Sequence, residues 1–197
     1  MSKTESSGQG THEHKRKFTE GLLDNDRILD SLNIQAGQVI IDAGCGNGYM
    51  SKLFSKRVAG SGKVIALDPD AYVIDILKDE CRNTNITALK ADITQPTELE
   101  ASSLDIIYLS TVFHGFSKDQ IQGFVKEAGR LLKSGGTLAI VELEKRETPI
   151  GPPLNIRYSP AELKNAIPFP PGDTIQAGEF FYMQLFEYQQ TSDQSPG

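Results

Sequence analysis

The sequence predicts an α/β fold: a doubly wound, mostly parallel seven-stranded sheet closed by an antiparallel C-terminal edge hairpin. Three observations predict it. Short runs of β-branched and apolar residues alternate with segments of helical periodicity, the pattern of a parallel sheet covered on both faces. A glycine-rich stretch, Gly44-Cys45-Gly46-Asn47-Gly48, follows the first of those runs directly. The last two apolar runs flank Ala177-Gly178, a spacing suited to a hairpin.

Taken in order, the runs Val39–Asp42, Val64–Asp68, Ile86–Lys90, Leu104–Leu109 and Thr137–Glu142 read as strands buried on both faces. Met50, Leu53, Phe54 and Val58 place an amphipathic helix after the glycine stretch. Ile121, Phe124, Val125, Ala128, Leu131 and Leu132 form one stripe of a helix over Gln120–Leu132. Ser134-Gly135-Gly136 reads as the stop of that helix and the turn into the fifth strand. Ser159-Pro160-Ala161-Glu162 offers a capping serine, a first-turn proline and a glutamate at the third position, so a helix starts at Pro160. Thr174–Gln176 and Phe180–Phe186 supply the edge hairpin.

Upstream, Phe18–Leu23 and Asp26–Leu32 suggest short helices over the crevice at the strands' carboxyl ends. Residues 14–37 then form a helical cover on a single domain spanning 14–188. Residues 1–13 and 189–197 are rich in Ser, Gly, Gln and Thr and are expected to be disordered tails. The Pro/Gly-rich connection 147–159 is expected to be a mobile cover over the pocket.

Bulk composition narrows the function. A formal net charge of −6 disfavours a nucleic-acid substrate, since His14-Lys15-Arg16-Lys17 is the one basic cluster. The polar N-terminus and the absence of about 18 uninterrupted apolar residues argue against a signal peptide or a membrane span, so a cytoplasmic location is expected. Cys45 and Cys81 make no disulfide framework and no zinc spacing, and no metal is expected.

The glycine stretch is Gly-x-Gly-x-Gly, and Tyr49 stands where a dinucleotide fingerprint wants its third glycine. Asp42 at the strand end would repel a diphosphate and attract a cation. The loop therefore suits a ligand with a positive group and no phosphate. Asp68 stands 24 positions after Gly44, near the ~20 expected of a ribose-binding carboxylate.

Asp42-Ala-Gly-Cys-Gly-Asn-Gly48 resembles the D/E-x-G-x-G-x-G signature of the class I S-adenosylmethionine-dependent methyltransferases, whose fold is Rossmann-like. The likeness runs from about Asp26 to Glu187, and its small-molecule, type 11 group, which includes the ubiquinone and menaquinone C-methyltransferases, is nearest in pattern. ALKADIT, LDIIYLSTVFHGF and LLKSGGTLAIVE are similar to later family segments in the right order. The resemblance implies S-adenosyl-L-methionine as cofactor and a small-molecule methyl acceptor. It implies that Gly44, Gly46 and Gly48 approach the methionine and ribose portion, with Asp42 serving the ammonium. Asp68 would take the ribose hydroxyls, Asp92 the adenine amino group and the Ile93 amide a ring nitrogen. Cys45, Pro69 and Ser110 complete the implied cofactor set.

For the acceptor side, Phe113 and Arg157 are the residues expected to meet substrate. Arg157 could grip an acidic group or make a salt bridge to a neighbouring carboxylate. His114 either takes a proton or only packs in its loop. Asp68 and Asp92 taken singly also read as turn or capping residues. Two other functions stand beside methyl transfer: a non-catalytic module that binds S-adenosylmethionine or its demethylated product, and an NAD-dependent oxidoreductase, against which the loop and Asp42 speak. The oligomeric state is not readable from the sequence.

Overall fold

The computed structural model describes residues 20–190. The expected tail 1–13, the basic cluster at 14–17 and most of the expected C-terminal tail lie outside the described residues. Seven strands form one sheet: β1 (Val39–Ala43), β2 (Lys63–Asp68), β3 (Ile86–Lys90), β4 (Leu104–Ser110), β5 (Leu132–Leu143), β6 (Pro171–Gln176) and β7 (Phe181–Glu187). Their spatial order is β3-β2-β1-β4-β5-β7-β6. The first five pair in parallel, and β7 pairs antiparallel with both β5 and β6. The strand order reverses between β1 and β4, the point at which an open α/β sheet forms its ligand crevice.

Five α-helices cover the two faces. Ile28 and Leu29 of α1 (Asn25–Ser31), Met50 and Phe54 of α2 (Tyr49–Val58), and Ile74 and Leu77 of α3 (Ala71–Glu80) pack on Ile40, Val64 and Ile106. On the other face, Phe124, Ala128 and Leu131 of α4 (Lys118–Leu131) and Leu163 of α5 (Pro160–Ala166) pack on Ile41, Ile65 and Ile107. Alternate residues of β1 and β4 thus feed two apolar layers, which is why these strands read as continuous apolar runs. Burying one side chain the size of Phe54, fully enclosed here, contributes roughly 1.5–3 kcal/mol.

Three element boundaries differ from the sequence reading. Glu20–Leu23 is a turn rather than helix: Gly21 has φ +83°, Leu23 bridges to Gly178, and the Asp24 amide donates to the Ala177 carbonyl at 2.8 Å. The fifth strand begins at Leu132, directly after α4, and residues 133–136 bulge out between the Leu104–Leu132 and Ile106–Thr137 pairs. Gly135, at φ +79°, lets the bulge turn back, and its amide donates to the Tyr188 carbonyl. The sixth strand starts at Pro171, tolerated because it opens an edge strand.

Helix ends follow the local chemistry. Ser159 and Glu162 form the expected capping box on α5, with Pro160 in the first turn. Ser117 and Gln120 form a second capping box on α4. No helix among the described residues is long and apolar enough to cross a membrane.

Candidate cofactor and active site

The glycine loop leaves the carboxyl end of β1 and is fastened to β2. The Gly44 and Cys45 amides both donate to the Leu67 carbonyl, at 2.8 and 3.0 Å. Gly44, Gly46 and Gly48 all have positive φ, +70°, +53° and +71°. Space matters as well: a Cβ on Gly44 would lie 2.6 Å from Val112 Cγ2, and one on Gly48 2.5 Å from Leu77 Cδ2. At Gly44 and Gly48 the loop can therefore present only backbone. Gly48 is the N-cap of α2 and supplies no side-chain cap; the first amide of that helix, Tyr49, donates to Asn47 Oδ1 at 3.2 Å.

Asp68, at the end of β2, holds this loop in shape. One oxygen accepts from the Gly46 amide at 3.0 Å and the other from the Asp70 amide at 2.9 Å. The carboxylate is half-buried, and Pro69 beside it is exposed. At the end of β3, Asp92 accepts through Oδ1 from the Thr94 amide and hydroxyl, at 2.9 and 2.7 Å. The Ile93 side chain is buried in the core, which leaves its backbone as the part able to meet a ligand. Both aspartates thus make the turn contacts that bland readings foresee, and each stands at a strand's carboxyl end.

Asp42 is fully buried and accepts from Ser51 Oγ of α2 at 2.6 Å. Its sheet neighbour is Tyr108, whose ring stacks edge-on against Phe54 with centroids 5.0 Å apart. The Tyr108 and Ser110 hydroxyls are both buried, and the Ser110 hydroxyl interacts with that of Tyr108. Burial pushes the Tyr108 hydroxyl far above the usual phenol range, with Asp42 adding to the effect, so it stays a neutral donor. Cys45 is buried in the same layer, is in no disulfide, and its thiol donates to the Gly46 carbonyl at 3.7 Å.

These groups fit S-adenosylmethionine. The glycine loop, the Asp68 and Asp92 carboxylates and the buried Asp42–Ser51 pair gather at the carboxyl ends of adjacent strands β1, β2 and β3. Ser110 ends the next strand, β4. At the N-terminal side, Asn47 Nδ2 of the loop donates to Glu20 Oε2 at 3.3 Å, and Asn25 Nδ2 donates to the Tyr49 hydroxyl at the start of α2 at 3.1 Å.

His114 sits in a short 3-10 turn (Phe113–Gly115) just past β4. Its amide donates to Glu142 Oε1 at 3.2 Å, and its Nδ1 lies 2.8 Å from Glu142 Oε2. Glu142 is 1% exposed, on the last turn of the β5 pleat. The hydrogen bond to this carboxylate is the largest influence on the ring and raises the His114 pKa; partial burial and the positive Arg157 oppose it. A raised folded-state value means that the pair stabilises the fold fully below about pH 6.5, and that this contribution fades as pH rises through the raised value. Sequence reading missed Glu142, although strand alternation puts it on the buried face with Leu138 and Ile140, where a carboxylate must find a partner.

Two expected substrate contacts are corrected. Phe113 is fully buried in an aromatic cluster, 5.0 Å from Tyr158, 5.8 Å from Phe116 and 6.1 Å from Phe124 by ring centroids, and so has no surface to offer a substrate. Arg157 is 6% exposed, and its guanidinium donates to the carbonyls of Glu144, Arg146, Ile150 and Pro152 and to Thr148 Oγ1. Among the described residues it makes no salt bridge; it ties the connection 144–157 together through those five acceptors.

A glycine loop after β1, acids closing β2 and β3, and a 3-2-1-4-5-7-6 sheet define the class I methyltransferase fold. Residues 40–136 match a family model described as a methyltransferase domain. A ubiquinone/menaquinone biosynthesis C-methyltransferase from Hahella chejuensis is 27% identical over 146 residues, covering 72% of this chain and 53% of the relative. A S-adenosylmethionine-dependent methyltransferase from Aquifex aeolicus superposes with a TM-score of 0.76 at 25% identity, over 85% of this chain and 91% of that one. A putative type 11 methyltransferase from Sulfolobus solfataricus shares the fold at a TM-score of 0.72 and 22% identity, over 87% and 95% of the two chains. The chain is similar in sequence to methyltransferase domains over residues 40–136, and it shares its fold with S-adenosylmethionine-dependent methyltransferases. It spans about half the length of the curated relatives it matches.

Proposed function

We propose that the chain catalyses transfer of a methyl group from S-adenosylmethionine to a small-molecule acceptor. The observation that carries this reading is the Asp68-tethered glycine loop beside a second, chemically different group, the His114–Glu142 pair, past the neighbouring strand. When bound, S-adenosylmethionine supplies an electrophilic methyl group on a sulfonium. The residues supply the rest. Asp68 and Asp92 offer acceptors for ribose and adenine donors, and the buried Asp42 supplies negative charge toward a cationic end. Alignment and exclusion of water provide much of the rate in such a displacement, and His114 is placed to accept a proton where the acceptor carries one.

The acceptor class is taken as small molecules because two of the matched relatives are named as a ubiquinone/menaquinone biosynthesis C-methyltransferase and a demethylmenaquinone methyltransferase, and because a net charge of −6 disfavours nucleic acid. A cytoplasmic setting is inferred with it. No observation favours the non-catalytic binding module.

Calorimetry with S-adenosylmethionine and S-adenosylhomocysteine tests the binding half, and labelled-methyl transfer to metabolites of a cell extract tests the catalytic half. No heat with either ligand would sink the reading. Asp68→Ala is expected to weaken binding about tenfold or more, because charge-assisted bonds worth ~1.5–3 kcal/mol are lost. Asp70→Ala is the control: Asp70 caps α3 by accepting from the Tyr72 amide at 2.9 Å, so its loss should cost about 1 kcal/mol of stability without a matching loss of affinity. Equal effects of the two variants on affinity would show that Asp68 acts only through the fold.

A further inference from the structure

We propose that Glu142 is the positioning residue of the active site: it holds His114 with the proton on Nδ1 and leaves Nε2 as the proton acceptor for the methyl-accepting substrate. The proposal rests on the methyl-transfer reading above and adds to it a residue, a tautomer and a direction of proton flow.

The geometry carries it. Both Glu142 oxygens go to the same residue, Oε1 to the His114 amide and Oε2 to Nδ1, so one side chain fixes the backbone of the 3-10 turn and the rotation of the ring together. A carboxylate accepts and cannot donate, so Nδ1 carries the hydrogen and Nε2 presents its lone pair. Among the described residues Nε2 has no hydrogen-bond partner, and the imidazole is 19% exposed.

Position adds to this. Ser110 and Val141 are the last paired residues of β4 and β5, and Glu142 is the next residue of β5, so the pair stands at the carboxyl edge where the crevice opens. Immediately before the turn, Thr111 has φ +55°, a strained conformation for a β-branched residue, held by its amide donating to the Val141 carbonyl at 2.8 Å. The chain thus enters the turn by one unfavourable step that β5 secures on one side and Glu142 on the other.

The electrostatic surroundings are mixed. Glu142 on β5 faces the ring. Arg157, from the 144–157 connection, opposes its protonation. Tyr182 of β7, the sheet partner of Glu142, donates to the Tyr158 carbonyl at 2.6 Å and stays neutral, because burial and the nearby Glu142 and Glu162 carboxylates push its pKa far up. As the acceptor's lone pair bonds to the methyl carbon, the bond from that carbon to the sulfonium sulfur would break and its electron pair leave with S-adenosylhomocysteine; the acceptor's proton passes to Nε2, and the resulting imidazolium faces the Glu142 carboxylate and later releases the proton to solvent. The atoms balance without any further reactant.

Nitrogen-15 NMR of the imidazoles in the full chain, first free of ligand, reads the tautomer and the titration directly. The chain has three histidines, and His114→Gln assigns the signal of interest. The expected wild-type result is a neutral ring protonated at Nδ1, titrating above the ordinary value of about 6.5. Glu142→Gln should lower the midpoint and abolish the fixed tautomer, and Glu142→Asp, which keeps the charge, should restore part of the shift. A wild-type ring protonated at Nε2, or a midpoint at or below 6.5, overturns the proposal even if neither variant folds. An unchanged midpoint and tautomer in folded Glu142→Gln overturns it equally. Failure to bind S-adenosylhomocysteine in calorimetry would instead remove the methyl-transfer reading, so the two failures are distinguishable.

Discussion

Arg157→Ala is expected to lower the melting temperature by about 6–12 °C, the counterpart of ~3 kcal/mol for a chain of this size. Its guanidinium serves four carbonyls and one hydroxyl at 2.7–3.1 Å while nearly enclosed. Each buried acceptor left without a donor costs ~1–3 kcal/mol, but exposed residues such as Lys145 and Glu147 lie in the same connection, so water can reach part of it and the total falls well short of the sum. Arg157→Lys should recover less than half of the loss, because one ammonium has three donors and cannot span the five acceptors. There is a second readout. Arg157 opposes protonation of His114, so its removal should move the His114 titration to higher pH. Thermal denaturation with unchanged melting in Arg157→Ala would show that water serves those carbonyls equally well.

The sheet was legible because its information is local. β-branched apolar runs such as Val39–Ile41 and Val64–Ile65 state their strands and their two-sided burial at once. Turn chemistry was misread where tertiary pairing overrode it. Ser134-Gly135-Gly136 is a bulge inside β5, because the Tyr188 backbone bonds to Gly135 and Gly136 from the far end of the chain. Pro171-Gly172 begins a strand because β7 offers it a partner.

The positions of the glycine loop and of the acids were equally legible, since both are set by their distance from strand ends. The acceptor side was not. Phe113 and Arg157 look functional by residue type, yet one fills the layer between β4 and α4 and the other binds carbonyls contributed by its own connection. Glu142 looks like the end of a strand, and only the fold brings it to His114 across 28 residues of chain. Spacing encodes what a backbone presents; it does not encode which buried charges meet.

Gly123→Ala is expected to damage stability and cofactor binding together, which ties α4 to the crevice. On propensity alone the change should help: alanine in a helix interior is favoured over glycine by ~1 kcal/mol. Packing reverses the sign. A Cβ on Gly123 would lie 2.1 Å from the Thr94 carbonyl oxygen and 3.1 Å from its carbon, and both are backbone atoms that cannot rotate away. Either α4 or the turn after β3 must move. Overpacking of this kind costs ~1–3 kcal/mol and occasionally more, and so deep an overlap belongs at the upper end, for a net loss of about 2 kcal/mol. The turn is the softer partner, because α4 is anchored by buried Phe124, Ala128 and Leu131. Thr94 bonds to Asp92 through both its amide and its hydroxyl, so a displaced Thr94 carries the Asp92 carboxylate with it. Affinity for S-adenosylhomocysteine should therefore fall about tenfold, or ~1.4 kcal/mol, although residue 123 contributes no side chain to the crevice. Calorimetry and thermal denaturation on the same variant check both effects. A loss of stability with affinity intact would mean that α4, not the Asp92 turn, gives way, and that Asp92 is held by contacts other than Thr94.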